Sequence, residues 1–245
     1  MNSEALQKQS GGYPPDALSQ QLFSISEQLN PALRGHTEAS QRFAISHVHT
    51  PVSSLRTLYH YWQEHFPEAG RSYWSVRSWE LLIWQPVLLA VIAVYGLAAI
   101  PPLRQMTQAL DNGIVAGYAL PAGCWFQGSQ AQLIARAGGE LRALISSLLV
   151  QLQQVATLRP GLANDLFSDQ LISALARVPA ISGQVTEADI RHQLPLWLDA
   201  TELAPRGIQL DKQLQITRMS CCLHYRRHDG ERCTNCPRPA KPSQV

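Results

Sequence analysis

Four of the five cysteines of this chain lie close together, as Cys221-Cys222 and, ten residues later, Cys233-x2-Cys236; Cys124 is the fifth. Thiolates at such short spacing are typical of a metal site. A pair of disulfides is the other explanation, but disulfides persist in oxidising compartments. The sequence starts without a basic region followed by an apolar stretch, so we expect no secretory signal, a cytoplasmic location and reduced thiols.

The spacing leaves two kinds of metal centre open. Zinc prefers four tetrahedral ligands, usually in two pairs separated by two to four residues. Cys233 and Cys236 form such a knuckle, but the adjacent Cys221 and Cys222 reach one small ion only with strain. A [2Fe–2S] cluster distributes four thiolates over two irons, so the sulfurs of an adjacent pair need not converge on one point.

This C-terminal motif resembles that of the FhuF-like ferric siderophore reductases. The likeness extends beyond the cysteines to their flanks, which are Arg218-Met219-Ser220, Leu223-His224-Tyr225-Arg226 and Pro237. A weaker likeness runs from Trp74 to Leu120. The resemblance implies a [2Fe–2S] cluster on Cys221, Cys222, Cys233 and Cys236. It also implies an oxidoreductase that transfers one electron to siderophore-bound Fe(III) and releases Fe(II) in the cytoplasm.

The electron must come from a partner, because no Gly-rich nucleotide-binding motif follows a predicted strand. A ferredoxin, a flavodoxin or an NAD(P)H-dependent reductase is the expected donor, and a ferric siderophore is the expected acceptor. Two alternatives to a reductase remain. One is a helical domain with a structural zinc knuckle that binds protein or nucleic acid, and the other is an iron–sulfur redox sensor.

The charge of the chain is small overall but uneven. The net charge is +2, which gives no strong field to attract nucleic acid, so we expect no nucleic-acid partner. From residue 218 onwards there are six Lys or Arg and two acidic residues, hence +4, which leaves −2 for the rest. Arg226, Arg227 and Arg232 lie between the cysteine pairs, where guanidinium groups stabilise a reduced, more negative cluster.

We predict a mainly α (α+β) fold, a single helical domain with a small β-hairpin and a C-terminal cluster-binding loop. The predicted division is a flexible N-terminus (1–16), a helical siderophore-docking domain (17–217), the cluster loop (218–237) and a flexible tail (238–245).

Apolar periodicity predicts helices near 16–30, 53–66, 129–158, 162–178 and 186–198, and a short one at 103–110. A hairpin is predicted from strand 114–120, a turn at 121–123 and a return at 124–126. Alternating apolar residues over 208–216 predict a strand that leads into the cysteine loop. We expect the glycine pair at 138–139 to allow another backbone to pack closely.

The twenty uncharged residues from Leu81 to Ile100 are long enough to span a membrane. Proline and glycine interrupt them, and arginines flank both ends, so we predict a buried core helix, with peripheral contact to the inner membrane as the alternative.

Other residues have predicted roles near the cluster or in the core. His224 or His228 is expected to hydrogen-bond a cluster sulfur, and Cys124 is expected to be a buried small hydrophobe. A set of aromatic residues is expected in the core, with the lining of a docking cleft as the alternative: Tyr73, Trp74, Trp79, Trp84 and Trp125.

Overall fold

A computed structural model describes residues 15–39, 44–204, 209–210, 214 and 216–238. In this part of the chain the fold is mainly helical with three small β-sheets, which confirms the predicted fold class. The predicted N-terminal segment and tail lie almost wholly outside the described residues, and the domain boundaries stay predictions.

Seven α-helices and eight short strands are present in the described ranges. The helices are α1 (Pro15–Leu29), α2 (Val52–His65), α3 (Gly70–Ile92), α4 (Gln130–Leu152), α5 (Pro160–Leu175), α6 (Val178–Ser182) and α7 (Glu187–Thr201). The strands are β1 (Gly35–His36), β2 (Ile45–Ser46), β3 (Ala99–Ile100), β4 (Thr107–Asp111), β5 (Ile114–Ala119), β6 (Phe126–Gln127), β7 (Gln209–Leu210) and β8 (Ile216–Thr217). The strands form sheets in the orders β1-β5-β4-β2, β3-β6 and β7-β8. We call the elements from α1 to α7 the helical body.

Helix α3 is the centre of the helical body and packs against α1, α2, α4 and α5. A helix that is apolar on all sides is buried either in a protein core or in a membrane. The stretch 67–97 is long and apolar enough to cross a membrane, but 83% of its most apolar part is buried inside the fold. This burial confirms the predicted core helix and is consistent with a soluble protein.

Pro86 lies inside α3 without ending it. Proline has no N–H, so the Leu82 carbonyl loses its helical partner. Gln108 of β4 donates its Nε2–H to that carbonyl at 3.0 Å and accepts from Gln85 Nε2 at 3.0 Å. The sheet therefore completes the hydrogen bonding of the central helix and fixes the position of the helix against the strand.

The helix predicted at 103–110 is wrong, because only a 3-10 turn forms at Leu103–Gln105 and β4 follows it. Asn112 and Gly113 both have positive φ, 45° and 71°, as in the two-residue turns that join antiparallel strands. Such a turn requires a strand on each side, so β4 pairs with β5. The predicted return strand at 124–126 is shifted to β6, which pairs with β3 rather than with β5.

Helices α4 and α7 approach each other closely at Gly138. A Cβ on Gly138 would lie 2.4 Å from the Cβ of Ala200 and 2.9 Å from its carbonyl carbon, whereas a Cβ on Gly139 would have nothing within 4 Å. The prediction that another backbone packs closely against this glycine pair is confirmed, and Gly138 is the residue that permits it.

We expect Gly138→Ala to lower the free energy of unfolding by about 1–3 kcal/mol, because the methyl group forces α4 away from α7. The matched control Gly139→Ala is expected to raise it by up to about 1 kcal/mol, because alanine favours the helix and meets no neighbour. Denaturant unfolding followed by circular dichroism measures both. A loss of stability in Gly139→Ala as large as that in Gly138→Ala would contradict this account of the packing.

Candidate metal centre

The four clustered cysteines lie in the segment that follows β8, residues 218–238, which we call the cysteine segment. The Arg218 amide donates to the Asn235 carbonyl at 3.1 Å, which brings the two ends of the segment together. The Cys236 amide donates to the Cys233 carbonyl at 3.1 Å, which forms the turn of the knuckle. The segment is therefore a closed loop attached to the helical body.

The four cysteines of this loop are half-buried free thiols. The Sγ atoms of Cys222 and Cys233 lie 3.9 Å apart, whereas bonded sulfurs lie about 2.05 Å apart. Burial raises the pKa of the Cys233 thiol, and the nearby Cys222 raises it further because two adjacent thiolates repel each other. Burial also raises the pKa of Cys221. A bound cation removes this repulsion, so metal binding and loss of the thiol protons are coupled.

The sulfur pair suits a tetrahedral metal ion. Two thiolate sulfurs bound at about 2.3 Å to one such ion lie about 3.8 Å from each other. Within the described ranges, no three side chains of His, Cys, Asp or Glu form a group around a single ion. Structural zinc requires four ligands at one point, but a two-iron cluster requires two thiolates at each iron. Cys222 and Cys233 form one pair of thiols at the spacing that either kind of centre requires.

Arg218 anchors the cysteine segment to two helices. Its Nη2 lies 2.6 Å from Oε1 of Glu80 on α3, and its Nε lies 3.5 Å from Oδ2 of Asp169 on α5. Burial disfavours the charge on Arg218, but the two carboxylates hold the pKa of its guanidinium above the usual range. The two helices therefore share one buried cation.

Asp169 also holds the backbone that leads to the first cysteine pair. The Met219 and Ser220 amides donate to its Oδ1 and Oδ2 at 2.8 and 3.0 Å. Burial raises the pKa of Asp169, and these amides and the Arg218 charge oppose that rise. Each carboxylate oxygen thus has an N–H donor from the cysteine segment.

A second contact joins the cysteine segment to the residues just before α3. The Arg227 guanidinium lies 3.9 Å from the centre of the Phe66 ring and pairs with Asp229. Glu68 accepts a hydrogen bond from the His228 amide at 2.9 Å, and the same oxygen lies 3.0 Å from His228 Nδ1. The segment is thus attached at its start and in its middle.

A cavity of about 500 Å³ opens beside the Cys222 and Cys233 thiols, between the cysteine segment and α3. Its lining carries cationic, acidic and thiol groups, from Tyr73, Arg77, Glu80, Arg218, Cys222, His224, Asp229, Glu231, Arg232 and Cys233. Of the two histidines predicted to contact a cluster sulfur, His224 lines this cavity and His228 is bonded to Glu68 outside it.

The aromatic residues considered for a docking cleft occupy different places. Tyr73 lines the cavity, while Trp74 and Trp79 belong to the core. Trp84 lines a separate cavity, and Trp125 is partly buried against the core. Tyr73 is also fully buried, so the core interpretation is confirmed for Tyr73, Trp74 and Trp79, and the docking cleft stays a prediction.

Sequence reasoning missed three charged residues of the site, Glu80, Arg77 and Asp169. Glu80 and Asp169 could have been found from the sequence, because an acidic residue on an otherwise apolar helix face requires a charged or hydrogen-bonding partner. Cys124 was expected to be buried and is exposed, so that prediction is wrong; it lies two residues before β6.

Residues 218–238 match the family model described as the FhuF 2Fe-2S C-terminal domain. The match coincides with the cysteine segment, and it indicates a [2Fe–2S] cluster as the cofactor. The predicted family resemblance and cofactor are confirmed, and the iron–sulfur interpretation prevails over zinc and disulfides. The assignment of Cys221, Cys222, Cys233 and Cys236 as the four ligands stays a prediction.

We expect Asp169→Asn to lower the iron and sulfide content of the reconstituted protein. Asparagine offers one acceptor oxygen, so one of the two segment amides faces an NH2 group and loses its partner, at a cost of about 1–3 kcal/mol. Chemical analysis of iron and sulfide per chain after anaerobic reconstitution measures the effect. The control is Asp165→Asn, an exposed residue of the same helix; equal iron content in the two variants would show that Asp169 does not position the cysteines.

Proposed function

We propose that this chain, whose residues 218–238 match the FhuF 2Fe-2S C-terminal domain, reduces siderophore-bound Fe(III) to Fe(II). The observation that carries this proposal is the match of the four-cysteine segment to that family model. Arg218 anchors the segment to the helical body, and the Cys222 and Cys233 thiols line the cavity beside it. When bound, the cluster supplies a carrier for one electron, which is the difference between Fe(III) and Fe(II). Fe(II) binds hard oxygen chelators weakly, so reduction releases the metal.

The contribution of the chain is to hold the thiols close to the protein surface in a fixed position. Each of the four cysteines is half-buried, so the centre lies between the helical body and solvent. Electron transfer weakens steeply with distance, and a site at this depth keeps the path to an external partner short. Arg218 and Asp169 fix that depth because they tie the segment to α3 and α5.

The surface around the cysteines is positively charged and aromatic. Arg226, Arg232 and Arg238 are exposed, and the last two lie 5.8 and 5.4 Å from the centre of the Tyr225 ring. Arg238 also donates to the Tyr225 hydroxyl at 2.7 Å. Such a surface favours the approach of anionic partners.

The proposed partners follow from this surface and from the reaction. One is a ferric siderophore, and the other is a reduced electron donor such as a ferredoxin, a flavodoxin or an NAD(P)H-dependent reductase. The proposed location is the cytoplasm, where clustered thiols stay reduced. Contact with the inner membrane is not needed for this chemistry.

We expect reconstituted protein to catalyse Fe(II) formation from a ferric siderophore when a reductant is supplied. Cys222→Ser is expected to lower this activity by about tenfold or more, because a lost ligand should weaken metal binding at least as much as a lost supporting residue. Cys124→Ser is the matched control and should retain activity, since Cys124 lies outside the cysteine segment. The rate is measured anaerobically with an Fe(II)-specific chelator as the trap. A fully loaded protein whose reduced form is not reoxidised by hydroxamate or catecholate ferric chelates would contradict the proposal.

We expect the double variant Arg226→Gln/Arg238→Gln to accept electrons more slowly from an acidic ferredoxin. The expected loss of rate is about tenfold at low ionic strength. The loss should shrink at high salt, because screening weakens the attraction between the ferredoxin and the wild-type protein until it resembles that of the variant. Stopped-flow absorbance of the cluster measures the rate.

The control for this experiment is Arg159→Gln, an exposed arginine that precedes α5. Arg159 precedes Asp169 by ten residues, so at a rise of 1.5 Å per residue the two lie about 15 Å apart along the axis of α5. Arg159 is therefore remote from the point where α5 contacts the cysteine segment. Equal rates for the double variant and wild type at low salt would exclude this surface as the docking site of the donor.

A further inference from the structure

Two buried donor groups without a hydrogen-bond acceptor belong to residues that line the cavity beside Cys222 and Cys233. In the described part of the chain, the Tyr73 O–H and the Arg77 Nε–H have no hydrogen-bond acceptor. Most buried polar groups are paired, and two exceptions beside one cavity require an explanation.

The charged groups near the Tyr73 hydroxyl leave its hydrogen unpaired. Burial raises the pKa of Tyr73, Glu80 raises it further, and Arg227 and Arg77 oppose that rise. Arginine only donates hydrogen bonds. Glu80 is an acceptor, but its Oε1 lies 2.6 Å from Arg218 and the Tyr73 hydroxyl makes no hydrogen bond to it.

Arg77 is held in place by contacts that leave its Nε–H unpaired. Its guanidinium lies 4.9 Å from the centre of the Trp62 ring, a stacking contact that fixes the side chain without accepting a hydrogen bond. Tyr73 and Arg77 are four residues apart on α3 and therefore share one helix face. That face and the thiols of the cysteine segment line the same cavity.

An acceptor that enters this cavity lies next to the Cys222 and Cys233 thiols. Thiolates and the sulfide ions of a [2Fe–2S] cluster accept hydrogen bonds, and the cluster becomes more negative when it is reduced. Donors and positive charge beside the cluster therefore favour the reduced state. Hydrogen bonds to the sulfurs are among the factors that set the potential of such clusters.

We propose that Tyr73 and Arg77 donate hydrogen bonds from α3 to the sulfur atoms of the cluster and raise its reduction potential. The helical body thereby supplies half of the cluster environment, opposite the cysteine segment. The proposal rests on the cluster of the proposed function, but it does not depend on the nature of the electron acceptor. A failure to reduce ferric siderophores therefore leaves it intact.

The test is the midpoint potential of the full-length, cluster-loaded variant Tyr73→Phe, measured by an anaerobic dye titration. The variant keeps the ring and removes only the hydroxyl. We expect a shift to lower potential that reduces the ratio of reduced to oxidised protein by about tenfold at fixed ambient potential, which is about 59 mV for a one-electron couple. Arg77→Lys is the second variant, and it should shift the potential in the same direction because it loses the Nε–H and keeps the charge.

Two further readouts separate this role from a structural one. Resonance Raman bands of the Fe–S bonds shift in D2O when N–H or O–H groups donate to sulfur, and Tyr73→Phe should diminish that shift. The stability of the metal-free variant should equal or exceed that of the wild type, because an unpaired hydroxyl is removed. The control is Tyr95→Phe, whose hydroxyl is paired with Gln193 and Trp197; it should lose stability and keep the wild-type potential.

The proposal is overturned if both variants retain the wild-type potential and the D2O shift. It is also overturned if Tyr73→Phe loses stability in the metal-free form at unchanged potential, since the hydroxyl then has a structural partner. Weaker binding of a ferric chelate at unchanged potential would assign the donors to the substrate instead, and would equally exclude this role.

Discussion

One buried guanidinium held between two carboxylates joins the cysteine segment to the helical body. Arg218 contributes from the segment, Glu80 from α3 and Asp169 from α5. Removing three charges from water is costly, so a buried triad of this kind adds little net stability, but leaving one charge without its partner is strongly destabilising. The value of the arrangement is therefore positional, because it allows only one placement of the backbone that leads into Cys221 and Cys222.

The cysteine segment depends on this attachment because it has almost no core of its own. Leu223 and Ser220 are its buried side chains among the described residues, and a chain this short buries too little apolar surface to fold alone. Small loops of this type are usually ordered by a metal, with binding and folding as one process. Here the helical body shares that task, since it presents partners for the backbone of the segment before any metal is bound.

The pattern of local residues predicted the cysteine loop, most helices and the buried central helix. Cysteine spacing is a local signal, and so is apolar periodicity. The strand β4 was mistaken for a helix because its strand character comes from the turn at Asn112-Gly113 and from pairing with β5, which a short apolar run does not reveal.

The residues that the helical body contributes to the site were missed for a different reason. Glu80 and Arg218 are 138 residues apart, and no periodicity connects them. A usable signal nevertheless exists in α3: Tyr73, Arg77 and Glu80 are spaced at i, i+4 and i+7, which places polar groups on one face of an otherwise apolar helix. The sequence interpretation began its apolar stretch at Leu81, just after this face, and so treated the helix as core alone.

The unpaired donors on that face explain why the helical body carries half of the site. Each buried polar group without a partner costs about 1–3 kcal/mol, and a flexible loop would avoid that cost by turning the group to solvent. A packed helix cannot do so, because Pro86 and Gln108 fix α3 against the sheet and Trp62 holds Arg77. The donors are therefore kept in place at the expense of the metal-free protein's stability. An acceptor that enters the cavity recovers this free energy, so the rigidity of the core favours the loaded state.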